Sequence, residues 1–181
     1  MAKTPAGEDY LPRHQAGSGY AFLPAVRTDW DLWTDLLQDG PLRASTECLE
    51  QALDLVRGRP FDGVHPRHYA WAEPIRQRMI SEIVDASYEL ARRRLMEGHW
   101  RASEQAVVIG LTIEPALERL WRMRILAAHE SRNGAAEQEA IDRMLAITDE
   151  LGGDLEAETE NLLAGLKDPR REFDQLVVDA L

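Results

Sequence analysis

His65 and His68 stand three residues apart, a separation at which two imidazoles could share a metal ion. No cysteine lies near them, their surroundings read as a loop, and a third ligand would have to come from elsewhere in the fold, so no metal site is expected. Glu47, Glu50 and Asp54 fall on one helical stretch and could be imagined as an acid/base set, but their spacing is that of an ordinary solvated face. Arg92, Arg93 and Arg94 form a basic run that could touch an acidic partner or a phosphate backbone. Consecutive helical residues fan around the axis, which favours a solvated face over one patch. Trp71, Trp100 and Trp121 could line an aromatic ligand box, yet tryptophan at helical spacing more often fills a core or wedges helices apart. A serine nucleophile elbow, a phosphate-cradling glycine loop and a zinc-protease helix are all missing from the sequence. The reading is therefore non-catalytic, with no cofactor and no metal.

Composition narrows the remaining classes. The chain has 181 residues, room for one domain with a real core, and 32 acidic against 21 basic side chains give it a net charge of −11. Residues 1–28 hold three basic groups (Lys3, Arg13, Arg27) and two acidic ones (Glu8, Asp9), so 18 basic against 30 acidic groups, a charge of −12, fall on the remainder. Such a surface repels phosphate backbones. The single cysteine, Cys48, allows no internal disulfide and reads as a small core filler in a reducing compartment. The longest nearly apolar stretch, Ala106 to Ile113, falls well short of the roughly 20 residues that span a bilayer, and the N-terminus has no apolar signal segment. A cytoplasmic chain without membrane contact of its own is expected.

The elements that would carry these residues are helices. Residues 1–28 are broken by Pro5, Gly7, Pro12, Gly17, Gly19 and Pro24 and suit a hairpin turning at Gly17-Ser18-Gly19. From Thr28 and Asp29, candidate N-caps, apolar residues take helical spacing up to Gly40-Pro41, then from Leu42 to Arg57. A loop from Gly58 to Pro66 follows, in which Phe61 and Val64 are expected to plug a gap between helices. Further helices are expected from Pro74 to Gly98, Arg101 to Leu111, Pro115 to Arg132, Ala135 to Leu151 and Leu155 to Leu166, before a tail carrying Phe173, Leu176, Val177 and Leu181.

Gly98, Trp100, Ser103, Val107, Gly110 and Pro115 match the tetratricopeptide pattern of a glycine turn, an aromatic, alternating small and bulky residues, and a proline before the next unit. Small residues there let two helix backbones approach while Trp100 and Val107 fill the rest. A second copy offset by 36 residues sets Gly134, Ala136 and Ala146 against Gly98, Trp100 and Gly110, with Arg143 where a bulky apolar residue is wanted. Trp121 belongs to the same apolar framework. Two helix pairs bury too little alone, so the flanking helices are expected to cap one fold.

ALDLVRGRPFDGV (Ala52 to Val64), YAWAEPIRQRMISEIVDASYELARRRLMEGHW (Tyr69 to Trp100) and EPALERLWRMRILAAHESRNGAAEQEAIDRMLAITDELG (Glu114 to Gly152) resemble, in this order, the bacterial transcriptional activator domain of actinobacterial antibiotic-pathway-type regulators. The resemblance runs from Asp29 to about Leu166. It implies an all-α, tetratricopeptide-like antiparallel helical array over 29–166, a remnant of a winged-helix wing or linker over 1–28 as a short β-hairpin, and a C-terminal tail over 167–181. Tyr20 to Leu23 and Val26 to Asp29 look like the last wing strand and its exit into the first helix, the recognition helix being absent. The forms Gly58-Arg59-Pro60-Phe61 and Tyr69-Ala70-Trp71-Ala72-Glu73 are similar to a branch found in proteins with LysM segments.

The function this implies is a protein-interaction or regulatory module of a transcription regulator, contacting a protein partner or itself and reaching DNA only through a missing N-terminal domain. The alternative is a scaffold or assembly domain of a cell-envelope-linked LysM protein without a transcriptional role. The concave face of the repeats, around Tyr88, Arg92 and Met123, is the expected interaction surface.

Overall fold

The computed structural model describes residues 26–64, 70–168 and 170–180, together with Pro5 and Gly7. The turn of the expected hairpin at Gly17-Ser18-Gly19 with its flank Tyr20 to Leu23, the histidine pair His65 and His68, and Leu181 lie outside the described residues. Within them the chain forms eight α-helices and no strand: α1 (Asp29–Leu36), α2 (Thr46–Leu53), α3 (Glu73–Met96), α4 (Trp100–Ile113), α5 (Glu118–Glu130), α6 (Gly134–Leu151), α7 (Ala157–Leu166) and α8 (Phe173–Ala180).

Local chemistry sets the boundaries. Thr28 and Asp31 form a reciprocal capping box at the start of α1. The second helix begins at Thr46 rather than Leu42, because the Ser45 hydroxyl accepts the Cys48 N–H while Gly40 turns the chain with φ +82°. Leu42 is thereby left outside any helix and 78% exposed. Likewise α5 starts at Glu118, three residues after Pro115, whose carbonyl accepts the Trp121 indole N–H at 2.8 Å. The proline shapes the turn instead of opening the helix.

Consecutive helices pack in antiparallel pairs, with α3 against α4, α4 against α5 and α5 against α6, while α1 and α2 cap one end and α7 and α8 the other. One core runs through all of them, from Trp33 and Leu49 through Leu90, Val107, Leu120 and Ile125 to Met144, Leu162 and Leu176. At the α1 end, Trp30 and Trp33 stack with centroids 5.5 Å apart, and the Trp33 indole donates to Glu82 of α3. The segment expected as a mere tail folds as α8, burying Leu176, Val177 and Ala180 against α5 and α7.

The repeat has a period of 34 residues, not 36. Both helix pairs turn through the same pair of bonds: Gly98 N–H to Leu95 O and His99 N–H to Arg94 O after α3, Arg132 N–H to His129 O and Asn133 N–H to Ala128 O after α5. This is the Schellman closure, with its left-handed residue at Gly98 (φ +76°) and Arg132 (φ +57°). In this register Ala140 answers Ala106 and Met144 answers Gly110, all four buried, whereas Arg143 and Ala146 face outward. The second copy is therefore not degenerate at Arg143, and Gly134 opens α6 behind an Asn133 cap. Arg132 occupies a conformation that costs an L-residue roughly 1–2 kcal/mol. Arg132→Gly is expected to raise stability by about 0.5–1 kcal/mol, the rest being lost to the freer unfolded chain, and thermal denaturation of both proteins checks it.

Close approach at Gly110 is real, and it is made to Ser87 of α3 and Leu120 of α5. A Cβ there would lie 2.7 Å from Leu120 Cδ1 and 2.9 Å from Ser87 Cβ. The leucine tip can swing aside; the Ser87 Cβ is fixed to the backbone of α3. Gly110→Ala should lose about 1 kcal/mol net, the clash exceeding the helix-propensity gain of about 1 kcal/mol. Gly110→Leu should lose more, about 2–3 kcal/mol. An alanine variant melting at or above the parent temperature would show that α3 and α4 can separate without cost.

Candidate interaction groove

Helical spacing places Asp85, Tyr88 and Glu89 on one face of α3, at i, i+3 and i+4. Arg119, in the first turn of α5, reaches this face, donating to Asp85 at 2.5 Å while its guanidinium lies 5.2 Å from the centroid of the Tyr88 ring. The segment from Asp39 to Arg43 forms the opposite wall, and together they enclose a groove of about 370 Å³. Pro41 and the exposed Leu42 give it an apolar lip, Asp85 and Arg119 a polar floor. The Arg119 Nε–H is buried and has no acceptor among the described residues. Burial raises the Tyr88 phenol above its ordinary pKa, against the opposing pull of Arg122, Arg119 and Arg92. The phenol therefore stays a neutral donor and acceptor at physiological pH.

Behind the groove the lip is held by a buried ionic knot. Glu89 is 3% exposed. It accepts two hydrogen bonds from Arg92, at 3.0 and 3.1 Å, and one from Arg93 at 2.7 Å. Arg93 in turn donates to Ala44 O at 2.7 Å and Leu42 O at 3.0 Å, fastening the lip's backbone to α3. Burial would raise the Glu89 pKa, but the hydrogen bonds and charges of Arg92 and Arg93 outweigh it and hold the carboxyl below its ordinary value. Next along the helix, Arg94 pairs with Glu50 and Glu97. The arginine run is thus not a solvated face. Arg92 and Arg93 converge on one carboxylate because Glu89 sits three and four residues before them.

The structure separates the three expected interaction residues. Tyr88 lines the groove; Arg92 stands behind it through Glu89; Met123 is fully buried in the core and cannot meet a partner. In the 34-residue register Met123 answers Glu89, and where α3 turns a carboxylate toward the lip, α5 turns a thioether into the core. Of the repeat residues, Val107, Gly110 and Trp121 are buried, Trp100 is half-buried with Arg101 4.8 Å from its ring, and Gly98 and Pro115 shape turns. Trp71, expected as a core filler or wedge, is 70% exposed, and Phe61 is 38% exposed at φ +59° instead of plugging a gap. Glu47, Glu50 and Asp54 do not gather into an acid/base set: Glu50 is committed to Arg94, and Asp54 stands exposed just past the last turn of α2. Among the described residues no group of His, Cys, Asp and Glu could hold a metal ion, and no helix is long and apolar enough to cross a membrane.

Arg119, Asp85, Pro41 and Leu42 line the groove without having stood out in the sequence as site residues. Leu42 carried one signal: it directly follows Gly-Pro, a place where a helix has not yet begun. No curated protein and no solved structure matches the chain. The family model of the bacterial transcriptional activator domain, a regulatory tetratricopeptide-like helical domain, matches residues 31–167, from inside α1 to the end of α7. The chain belongs to the bacterial transcriptional activator domain family.

Proposed function

We propose that this regulatory module acts without catalysis, by seating a protein segment in the groove between the 39–43 lip and helices α3 and α5, and so links a DNA-reading domain to the transcription machinery or to another regulator. The observation that carries this reading is the groove itself: an exposed Leu42 faces Tyr88 and Arg119 across about 370 Å³, the apolar-plus-polar mix that peptide segments use. A net charge of −11 supports protein contact over direct contact with nucleic acid, which falls to a separate winged-helix domain.

The test is Leu42→Glu and Tyr88→Ala in the chain fused to a heterologous DNA-binding domain with a reporter gene. Neither residue is part of the buried core, so both variants should keep the helical circular-dichroism spectrum. Reporter output is expected to fall about tenfold, the loss of one central anchor. Full output in both variants would remove the groove from the function.

A further inference from the structure

A second groove lies away from the first, on the side where α4 and α6 flank α5, with a volume of about 280 Å³. Val108 on α4 and Ile147 on α6 form its apolar walls, and Pro115 and Trp121 continue the apolar lining. Val108 remains 44% exposed although it sits on the longest apolar stretch of the chain. Two arginines enter the same groove: Arg124, stacked 5.5 Å from the Trp121 ring centroid, and Arg143, four residues before Ile147. Among the described residues neither makes an ion pair, while Arg92, Arg93, Arg94, Arg119 and Arg122 are all paired. In a chain with 11 more acidic than basic side chains, two guanidinium groups outside any ion pair thus lie over one apolar channel.

We infer that this groove binds an acidic amphipathic helix of a partner protein. Walls built from successive turns of two helices, with a third helix as floor, suit a guest helix that lays an apolar stripe between them. Arg124 and Arg143 then meet carboxylates on the guest's flanks, and Arg143→Glu would oppose the same carboxylates. The chain's own acidity disfavours a second copy as the guest, because two copies repel over most of their surfaces.

The probe is a fluorescein-labelled peptide with leucine at i, i+3, i+4 and i+7 and glutamate on the flanking positions, beside its glutamine counterpart. Binding to the full chain is read by fluorescence anisotropy at low salt. The glutamate peptide is expected to bind about tenfold more tightly than the glutamine peptide, with the difference shrinking as salt rises. Arg143→Glu, at an exposed position whose change leaves the core intact, should weaken the glutamate peptide about tenfold. Arg124→Gln should also weaken it, Arg132→Gln should not, and thermal melts confirm folding of each. Tyr88→Ala should leave binding unchanged, which separates this groove from the one above. The assignment is overturned by equal binding of the two peptides, by no binding, by indifference to Arg143→Glu, or by loss of binding in Tyr88→Ala. If Arg143→Glu instead converts a sedimenting dimer to monomer and the peptide does not compete, the guest is a second copy and the partner assignment fails.

Discussion

Glu89→Ala is expected to cost about 3–5 kcal/mol, the range for removing one partner of a buried charge group. The carboxylate is 3% exposed and is the common acceptor of Arg92 and Arg93, so its loss leaves two guanidinium groups without their anion. Water can reach Arg92 more easily than Arg93, which is committed to the carbonyls of Ala44 and Leu42. Arg93 would then have to remain under-compensated or swing out and release the lip. Hydrogen exchange should show faster opening of residues 40–45 than of α5, and chemical denaturation should show the full loss. A loss below about 1 kcal/mol would mean that Arg92 and Arg93 are solvated already, as an exposed ion pair would be.

The same knot predicts a pH dependence. The Glu89 carboxyl is held below its ordinary value in the folded chain, so the unfolded chain binds a proton at higher pH than the folded one does. Its contribution is fully present above the unfolded pKa and is lost as pH falls through the folded pKa. Acid unfolding of the parent should therefore steepen below the ordinary carboxylate range. Glu89→Gln, nearly equal in size but unable to ionise, should be less stable at neutral pH and flatter across that acidic window. An unaltered slope in the glutamine variant would assign the acid sensitivity to other carboxylates.

Much of the architecture was readable because it follows from short-range rules. Helical apolar spacing locates seven of the eight helices, and Thr28 and Gly98 mark ends that the backbone confirms by capping bonds or a left-handed φ. The errors arose where two local signals competed. A proline at position 115 is equally good in a first helical turn or in the turn before it, and the choice was made by its carbonyl meeting Trp121. The repeat offset is not visible locally because Gly134 resembles Gly98 in type, whereas the position equivalent to Gly98 is Arg132, a residue that hides a left-handed turn. The candidate groove was less legible for a different reason. Tyr88 and Asp85 share a helix face that spacing reveals, but Arg119 and Leu42 join them only through packing of α5 and the lip against α3, a relation that no local pattern carries. The pairing of the Arg92 to Arg94 run is hidden for the same reason. Its neighbours Glu50, Leu42 and Ala44 lie more than forty residues away in sequence.

Arg122→Ala is the second large effect, and it tests whether α7 and α8 belong to the same cooperative unit as the repeats. Arg122 projects from the middle of α5 and is 5% exposed. Its Nε–H donates to Ala180 O at 2.9 Å, and its Nη1 group reaches Thr159 Oγ1 at 2.9 Å and Glu156 Oε2 at 2.5 Å. One guanidinium thus joins the end of α8, the first turn of α7 and α5. Glu118, one turn earlier, accepts the Glu156 N–H at 3.0 Å and sets the same corner from the other side. Truncation leaves the buried Thr159 hydroxyl and the Ala180 carbonyl to find new partners, and the expected cost is about 3 kcal/mol. For a chain of this size that lowers the melting temperature by about 6–12 °C. Arg122→Lys should recover little, because one ammonium cannot reproduce the planar fork that serves acceptors on two helices at once. Hydrogen exchange distinguishes two outcomes of equal total cost. If α7 and α8 fold with the repeats, the amides of α5 and of 157–180 lose protection together. If they form a separable cap, only 157–180 exchanges faster while α3 to α6 stay protected, and the continuous core from Trp33 to Leu176 would then not act as one unit.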